Sequence, residues 1–184
     1  MDEMMNVKPY RGDKSYIFIS YSHQDKDVVL NIIRVMAEHG YRIWFDEGID
    51  PGTEWPDFIA KRLSESDSCI AFLSAASLNS QNCRREIHYA IKQEKPLLAI
   101  YLEPVELSYG MDMQLSSIQG LFYFKDPKGF FTRLFDTPLL WPCKDVLYQS
   151  GSSFWTGSSC FKGYCGSGGR DVKSCFGKIS IPGR

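Results

Sequence analysis

The amino-acid sequence predicts an α/β fold in which helices cover both faces of a parallel β-sheet. Short, nearly continuous apolar runs alternate along the chain with longer amphipathic segments of helical spacing. The short runs are rich in β-branched and aromatic residues, which is typical of strands buried on both faces. Strands that alternate with helices imply right-handed crossover connections, and such connections produce a parallel sheet.

Composition and charge place the chain among ordinary globular proteins. Of its 184 residues 43% are hydrophobic and 23% are charged, and the formal net charge is −1, so we expect one well-packed domain and no general attraction to nucleic acid or to a membrane surface. No apolar run approaches the ~18–20 residues that span a bilayer, and the N-terminus does not resemble a signal peptide. We therefore expect a cytoplasmic protein whose six cysteines are thiols or metal ligands rather than disulfides.

The pattern predicts five strands and at least four helices. Tyr-, Ile- and Phe-rich runs predict strands at 15–21, 41–45, 68–74, 96–102 and 120–124. Helices are predicted from Asp25 to His39-Gly40, over a segment that carries Trp55, Phe58, Ile59 and Leu63, over about 80–94 and over about 128–135. Residues 103–119 are expected to form a loop and a short helix. Five such strands predict the flavodoxin-like, doubly wound order 2-1-3-4-5, a three-layer sandwich. Residues 1–12 are interpreted as an N-terminal extension, 13–140 as the domain and 141–184 as a tail.

Topology also predicts where a ligand binds. In doubly wound sheets ligands occupy the crevice beyond the carboxyl ends of the strands, where the strand order reverses. The segments that reach this crevice are 21–26, 46–53 and the turns that follow Ser74.

The motif inventory excludes several enzyme classes. The sequence has no Gly-x-Gly-x-x-Gly after its first strand and no Gly-Lys-Ser/Thr, which argues against dinucleotide-dependent redox chemistry and against a P-loop. Its three histidines lack metal-ligand spacing, so no metal site is predicted among them. His39 is interpreted as a helix C-terminal residue and Cys83 as a small buried thiol. Polar Tyr21-Ser22 in place of an acidic pair argues against a response-regulator receiver.

An ordered set of sequence boxes resembles the Toll/interleukin-1 receptor (TIR) domain family. The boxes are Ser15 to Lys26, Asp46 to Trp55 with Pro51-Gly52 at its centre, Cys69 to Ser74, Ser80 to Glu86, and Lys95-Pro96 with the strand that follows. Ser80 to Glu86 is similar to the family's Ser-x-Trp-Cys-x-x-Glu box. It departs from that box at Asn82, where the family usually has Trp, which puts a packing or stacking contact in doubt.

The resemblance implies that Glu86 cleaves the bond between nicotinamide and ribose in NAD. That cleavage develops positive charge on the sugar, which a carboxylate stabilises, and nicotinamide leaves as a neutral base without needing a proton. One glutamate therefore suffices, and NAD is the substrate, so no separate cofactor is expected. We expect the substrate to be bound by residues near the strand ends, namely Tyr21, Ser22, Asp46, Gly52, Trp55 and Cys83.

The ordinary interpretation of Glu86 is a solvated helix residue in a surface ion pair. None of its neighbours one helical turn away, which include Asn82 and Tyr89, is a cation, so a helix salt bridge is not available. Glu86 also borders an apolar stripe, which favours a partly buried carboxylate with a shifted pKa. Arg84 and Arg85 are interpreted as a solvated face, with contact to a phosphate of NAD as the alternative.

Three aromatic residues are candidates for holding the planar bases of the substrate. Tyr21 lies at the end of the first strand and is assigned to the site. Trp44 lies within a strand and is expected to pack in the core. Trp55 either anchors its helix or lines the site.

The tail differs in composition from the rest of the chain. Residues 141–184 contain eight glycines, eight serines, six Lys/Arg and two Asp/Glu, and their four cysteines are separated by 16, 4 and 9 residues. These spacings do not match paired Cys-x-x-Cys zinc ribbons. The segment is interpreted as disordered or as part of a second module, with a zinc- or partner-stabilised module as the alternative.

Two functions follow from the resemblance. The first is a TIR-domain NAD glycohydrolase, similar to those of bacterial antiviral or cell-suicide signalling, which assembles with other TIR domains and releases linear or cyclised ADP-ribose. The second is a non-catalytic interaction module that signals by homotypic TIR assembly. Glu86 and the polar first loop favour the enzyme, whereas Asn82 favours the interaction module.

Overall fold

The computed structural model describes residues 7–47 and 55–145 and contains a five-stranded parallel sheet. The strands are β1 (Ile17–Ser20), β2 (Ile43–Phe45), β3 (Ser68–Leu73), β4 (Leu97–Tyr101) and β5 (Gln119–Phe122). Their order is β2-β1-β3-β4-β5. The predicted strand order and the doubly wound fold class are therefore confirmed.

Within these described residues the α-helices are α1 (Lys26–Glu38), α2 (Trp55–Glu65), α3 (Ala75–Asn79), α4 (Gln81–Lys92), α5 (Tyr109–Leu115) and α6 (Pro127–Phe135). The first five lie between strands, and α6 follows β5. Short 3₁₀ helices occupy His23–Asp25, Tyr123–Lys125 and Pro138–Cys143. Gly40, which has a positive φ of 83°, follows α1 and its C-cap His39. A glycine tolerates this left-handed conformation at a helix end, as the His39-Gly40 stop signal predicted.

Two apolar layers enclose the sheet. Alternate strand residues such as Ile19 and Ile70 pack with α1, α6 and the last 3₁₀ helix on one face. The intervening residues, among them Phe18 and Ala71, pack with α2, α4 and α5 on the other face. Trp44 is buried in this second layer, with its ring 5.1 Å from that of Phe18, so its predicted core position is confirmed.

One helix was not anticipated from the sequence. α3 spans only five residues and carries little apolar periodicity, because it is defined by its cap. The Ser74 hydroxyl accepts a hydrogen bond from the Ser77 amide, and the Ser77 side chain in turn accepts one from the Ser74 amide. This capping box is formed by two serines rather than by the usual Ser and Glu, which explains why the sequence pattern did not indicate it.

Both ends of the described chain pack onto the domain. The Tyr10 amide donates to the Ile43 carbonyl at 2.8 Å, and Cys143 is fully buried in the core. Arg42 donates to the carbonyls of Ser15 and Pro142 and pairs with the Asp145 carboxylate. The compact domain therefore includes residues 7–12 of the predicted extension and 141–145 of the predicted tail. The rest of the predicted tail lies outside the described residues.

Candidate active site

A cleft of about 560 Å³ opens at the carboxyl ends of β1 and β3, beside the point where the strand order reverses. This is the crevice that the topology predicted. Its walls come from the ends of β1 and β2, from α3 and from the first turns of α4. The lining residues include Tyr21, Ser22, His23, Asp46, Asn79, Ser80, Cys83 and Glu86.

Glu86 projects from the second turn of α4 at the floor of this cleft. Ser80 caps the helix by accepting a hydrogen bond from the Cys83 amide, and this fixes the start of α4 against the strand ends. The neighbouring Cys83, Ile87 and Ala90 are buried, so Glu86 lies at the edge of the apolar face of its helix. Its side chain is partly buried as a result.

The Glu86 carboxylate has one hydrogen bond and no ion pair among the described residues. Ser20, the last residue of β1, donates its hydroxyl to Oε2 of Glu86 at 2.5 Å. Burial raises the pKa of Glu86 from 4.5 to about 7, the Ser20 hydrogen bond lowers it, and the nearby Asp46 carboxylate raises it. Close to neutral pH the group therefore exchanges between its neutral and ionised forms.

The opposite wall is organised around Asp46, which follows β2. The Tyr21 hydroxyl donates to the Asp46 carbonyl at 2.8 Å, and His23 Nε2 lies 3.5 Å from the Asp46 carboxylate. The Tyr21 and His23 rings are 5.6 Å apart. Burial and the Asp46 charge raise the pKa of Tyr21 to about 12, so its hydroxyl remains a hydrogen-bond donor at physiological pH.

Cys83 lies in the cleft as a buried thiol. Burial raises its pKa to about 11, an effect that the Ser80 hydrogen bond opposes and that the charge of Glu86 reinforces. A thiol of this kind is a poor nucleophile at neutral pH because almost none of it is thiolate. Its contribution is a compact wall beside Glu86, which agrees with its interpretation as a small buried thiol.

A second, smaller groove meets the cleft at Glu86. It has a volume of about 190 Å³ and lies between α2 and α4, where Ile59, Leu63 and Tyr89 form mainly apolar walls. Asn82 and Glu86 line both the groove and the cleft. The carboxylate therefore stands between a polar cavity and an apolar one.

The structure brings together most of the residues predicted for the site. Tyr21, Ser22, Asp46, Cys83 and Glu86 all line the cleft. Two further predicted residues cannot be placed in it: Gly52 and the side chain of Trp55 lie outside the described residues, although the Trp55 backbone begins α2.

Sequence reasoning missed Ser20 and His23 as site residues. Ser20 lies within an apolar strand run, where a serine carries no signal of its own. The available clue was its position as the last strand residue, which the topology places at the crevice. His23 lies in the segment 21–26 that was predicted to reach the crevice, but by itself it was weighed only as a metal ligand. Its pairing with Asp46 joins two loops that are distant in sequence.

Residues 7–47 and 55–145 contain no group of three His, Cys, Asp or Glu side chains arranged to hold a metal ion. Within the same ranges no helix has the length and apolar character needed to cross a membrane.

Comparison with known proteins identifies the fold family. The TIR domain of the Toll-related Receptor TRR-2 from Hydra magnipapillata superimposes with a TM-score of 0.51 at 19% identity, covering 65% of this chain and 94% of that one. The CMP N-glycosidase BcmB of Clostridium botulinum also has a TM-score of 0.51, at 18% identity, covering 67% of this chain and 100% of that one. At such identities these two likenesses establish the fold alone.

Sequence comparison extends this result. None of the curated proteins matches the chain significantly. The sequence profile of the TIR domain family, however, matches residues 17–135, which span β1 to α6 and include every described residue of the cleft. The chain therefore belongs to the TIR domain family.

Proposed function

We propose that this protein is a NAD glycohydrolase that uses Glu86 to cleave the bond between nicotinamide and ribose. The observation that carries the proposal is the position of Glu86, which is partly buried between a polar cleft and an apolar groove and has no cation paired with it among the described residues. A partly buried carboxylate without a paired cation costs the fold stability, and such groups are concentrated at functional sites.

The reaction needs one anionic group. The C1′–N bond breaks with its electron pair moving to the pyridinium nitrogen, so nicotinamide departs as a neutral base and positive charge develops on the ribose. The Glu86 carboxylate, ionised above its pKa of about 7, stabilises that charge in a site of low polarity. Water then adds to C1′ and gives up a proton, which Glu86 can accept, and the second product is ADP-ribose.

The shape of the site suits a substrate with polar and apolar parts. A cleft of about 560 Å³ falls within the ~300–1,000 Å³ range of ligand pockets. Asp46 and Ser22 offer oxygen atoms that can accept hydrogen bonds from ribose hydroxyls, and the apolar surfaces of Leu63 and Tyr89 lie beside Glu86 for a planar base. We assign the nicotinamide ring to the groove and the remainder of NAD to the cleft.

The proposed setting is a cytoplasmic signalling protein that acts in an assembly of TIR domains, as in bacterial antiviral or cell-suicide responses. This part of the proposal rests on membership of the family and on the resemblance of 46–55 to the loop that TIR domains use in self-association. Assembly and catalysis are linked in this proposal because the segment 46–55 begins at Asp46, which follows β2 and lines the cleft.

The test is release of nicotinamide from NAD by the purified full-length chain, with Glu86→Gln as the inactive variant. Glu38→Gln is the matched control, because Glu38 is an exposed glutamate at the end of α1, outside the cleft. We expect activity in the wild type and in the control and its loss in Glu86→Gln. Equal inactivity of wild type and Glu86→Gln, over a range of concentrations and with a tethering tag, would favour the non-catalytic interaction module.

A further inference from the structure

We infer that Ser20 is a positioning residue for the proposed reaction, which holds the Glu86 carboxylate by one oxygen and favours its ionised form. The inference rests on the proposed function for its catalytic meaning. Its geometric basis is independent of the identity of the substrate.

Ser20 occupies a rigid place in the fold. It ends β1, the second strand of the sheet, and pairs in register with Ala71 of β3. Only 1% of its surface is exposed. Strand pairing fixes the Ser20 backbone and burial limits the space around its side chain, so the hydroxyl is a well-placed anchor for a group on a neighbouring helix.

The single hydrogen bond from Ser20 defines how the Glu86 carboxylate is held. The Ser20 hydroxyl donates to Oε2 at 2.5 Å, within the short range of a hydrogen bond to an ionised acceptor. No other described residue donates to this carboxylate, so Oε1 has no hydrogen bond within that part of the protein. One oxygen is anchored to the sheet and the other is available to the reacting sugar.

The same bond acts on the protonation of Glu86. Burial raises the pKa of Glu86 and the Asp46 charge raises it further, whereas the Ser20 hydrogen bond lowers it. The titratable or charged groups that line the site or act on its carboxyl are Asp46 after β2, Tyr21 and His23 after β1, Cys69 of β3, and Cys83, Arg85 and Tyr89 of α4. The lining residues from α2 and α3 are uncharged. None of these donates a hydrogen bond to the carboxylate. Ser20 is therefore the described contact that specifically favours the ionised form.

This role makes a distinctive prediction for Ser20→Ala. Removal of the donor should shift the acid limb of the kcat/KM profile to higher pH by about one pH unit, a size typical of a hydrogen bond to a charged group. At pH 7 the ionised fraction of Glu86 then falls about fivefold, and activity at pH 9 recovers to within about twofold of the wild type. Ser20→Thr, which retains the hydroxyl, should restore the wild-type profile.

A control variant, in addition to Ser20→Thr, separates positioning from simple stabilisation. Ser68→Ala removes another fully buried hydroxyl, at the opposite end of β3, where it contacts Cys143. We expect this variant to lose stability without any shift of its pH profile. The inference would be overturned if Ser20→Ala lost the same fraction of its activity at every pH, because such a loss indicates a purely structural role.

A second measurement does not depend on catalysis. The carboxyl carbon of Glu86 can be followed by NMR in protein labelled with carbon-13 glutamate, with the resonance assigned by its absence in Glu86→Gln. We expect its titration midpoint to be higher in Ser20→Ala than in wild type, and an unchanged midpoint would refute the inference. If the wild type fails to cleave NAD, the proposed function fails, and the NMR titration still decides whether Ser20 controls the charge of Glu86.

Discussion

Replacing Glu86 by Gln should raise stability in a pH-dependent manner. The substitution keeps the size of the side chain and an acceptor for the Ser20 hydroxyl, but it removes the ionisable group. The folded protein holds the Glu86 proton up to a pKa of about 7, compared with 4.5 for an unperturbed carboxyl. That difference corresponds to a cost of about 3 kcal/mol for ionising the group in the folded state.

The sign of the effect follows from proton linkage. Below pH 4.5 the carboxyl is protonated in both the folded and the unfolded chain, and its full contribution to stability is present. As the pH rises from 4.5 to 7 the unfolded chain releases this proton and the folded chain retains it, so the wild type progressively loses stability. Above pH 7 the loss is complete, and Glu86→Gln should then be more stable than the wild type by up to about 3 kcal/mol.

Thermal melts of both proteins at a series of pH values would measure this difference. We expect equal melting temperatures near pH 4 and a higher melting temperature for Glu86→Gln at pH 8, by roughly 5–10 °C for a domain of this size. Turnover should fall about 10²–10³-fold in the same variant. Equal melting temperatures of the two proteins at pH 4 and pH 8 would refute the argument that Glu86 is buried at the expense of stability.

Three further predictions concern assembly, chain boundaries and the thiol in the cleft. Activity should rise more than linearly with protein concentration, and a rate strictly proportional to concentration would count against assembly. Replacement of Pro51 and Gly52 should lower the activity while the circular dichroism spectrum stays native. Removal of 146–184 should leave the melting temperature unchanged. Removal of 141–184 should lower the melting temperature by several degrees, because a buried cysteine and two contacts of a buried arginine are lost. Equal melting temperatures of the two truncated proteins would show that the contacts at 141–145 contribute little. Iodoacetamide should modify Cys83 in the native protein slowly at pH 8, because the pKa of this thiol is raised to about 11. Peptide mass spectrometry measures the labelling, and rapid labelling would contradict the burial of Cys83.

The strands and the helices between them could be predicted from the sequence because they depend on patterns of neighbouring residues. Short continuous apolar runs such as 68–74 are typical of strands buried on both faces, and helices between them favour parallel crossovers. The carboxyl ends of β1 and β3 then define the crevice, and the turn after β3 carries α4 and Glu86 to it. The lack of a cation one helical turn from Glu86, together with the apolar stripe beside it, predicted a partly buried carboxylate.

The contacts within the site depended on tertiary structure, because they join residues that are far apart in the chain. Ser20 and Glu86 are separated by 66 positions, and His23 and Asp46 come from different loops. No periodicity links such residues, and their approach follows from the strand register and the packing angle of α4. The pKa of Glu86 likewise depends on burial and on one hydrogen bond, neither of which is a property of its sequence neighbours.

The boundary of the domain illustrates the same division. Composition placed the start of the tail at residue 141, because glycine and serine become frequent in the segment that starts there. The structure extends the domain to Asp145, since Arg42 of the core bonds to the Pro142 carbonyl and the Asp145 carboxylate, and Cys143 fills a fully buried position. By itself the sequence predicted the strands, their order and the position of the proposed catalytic glutamate, because apolar patterning and chain connectivity act along the chain. Tertiary structure decided which buried polar groups meet, because a hydrogen bond across the fold requires donor and acceptor to be brought together by packing that local sequence does not encode.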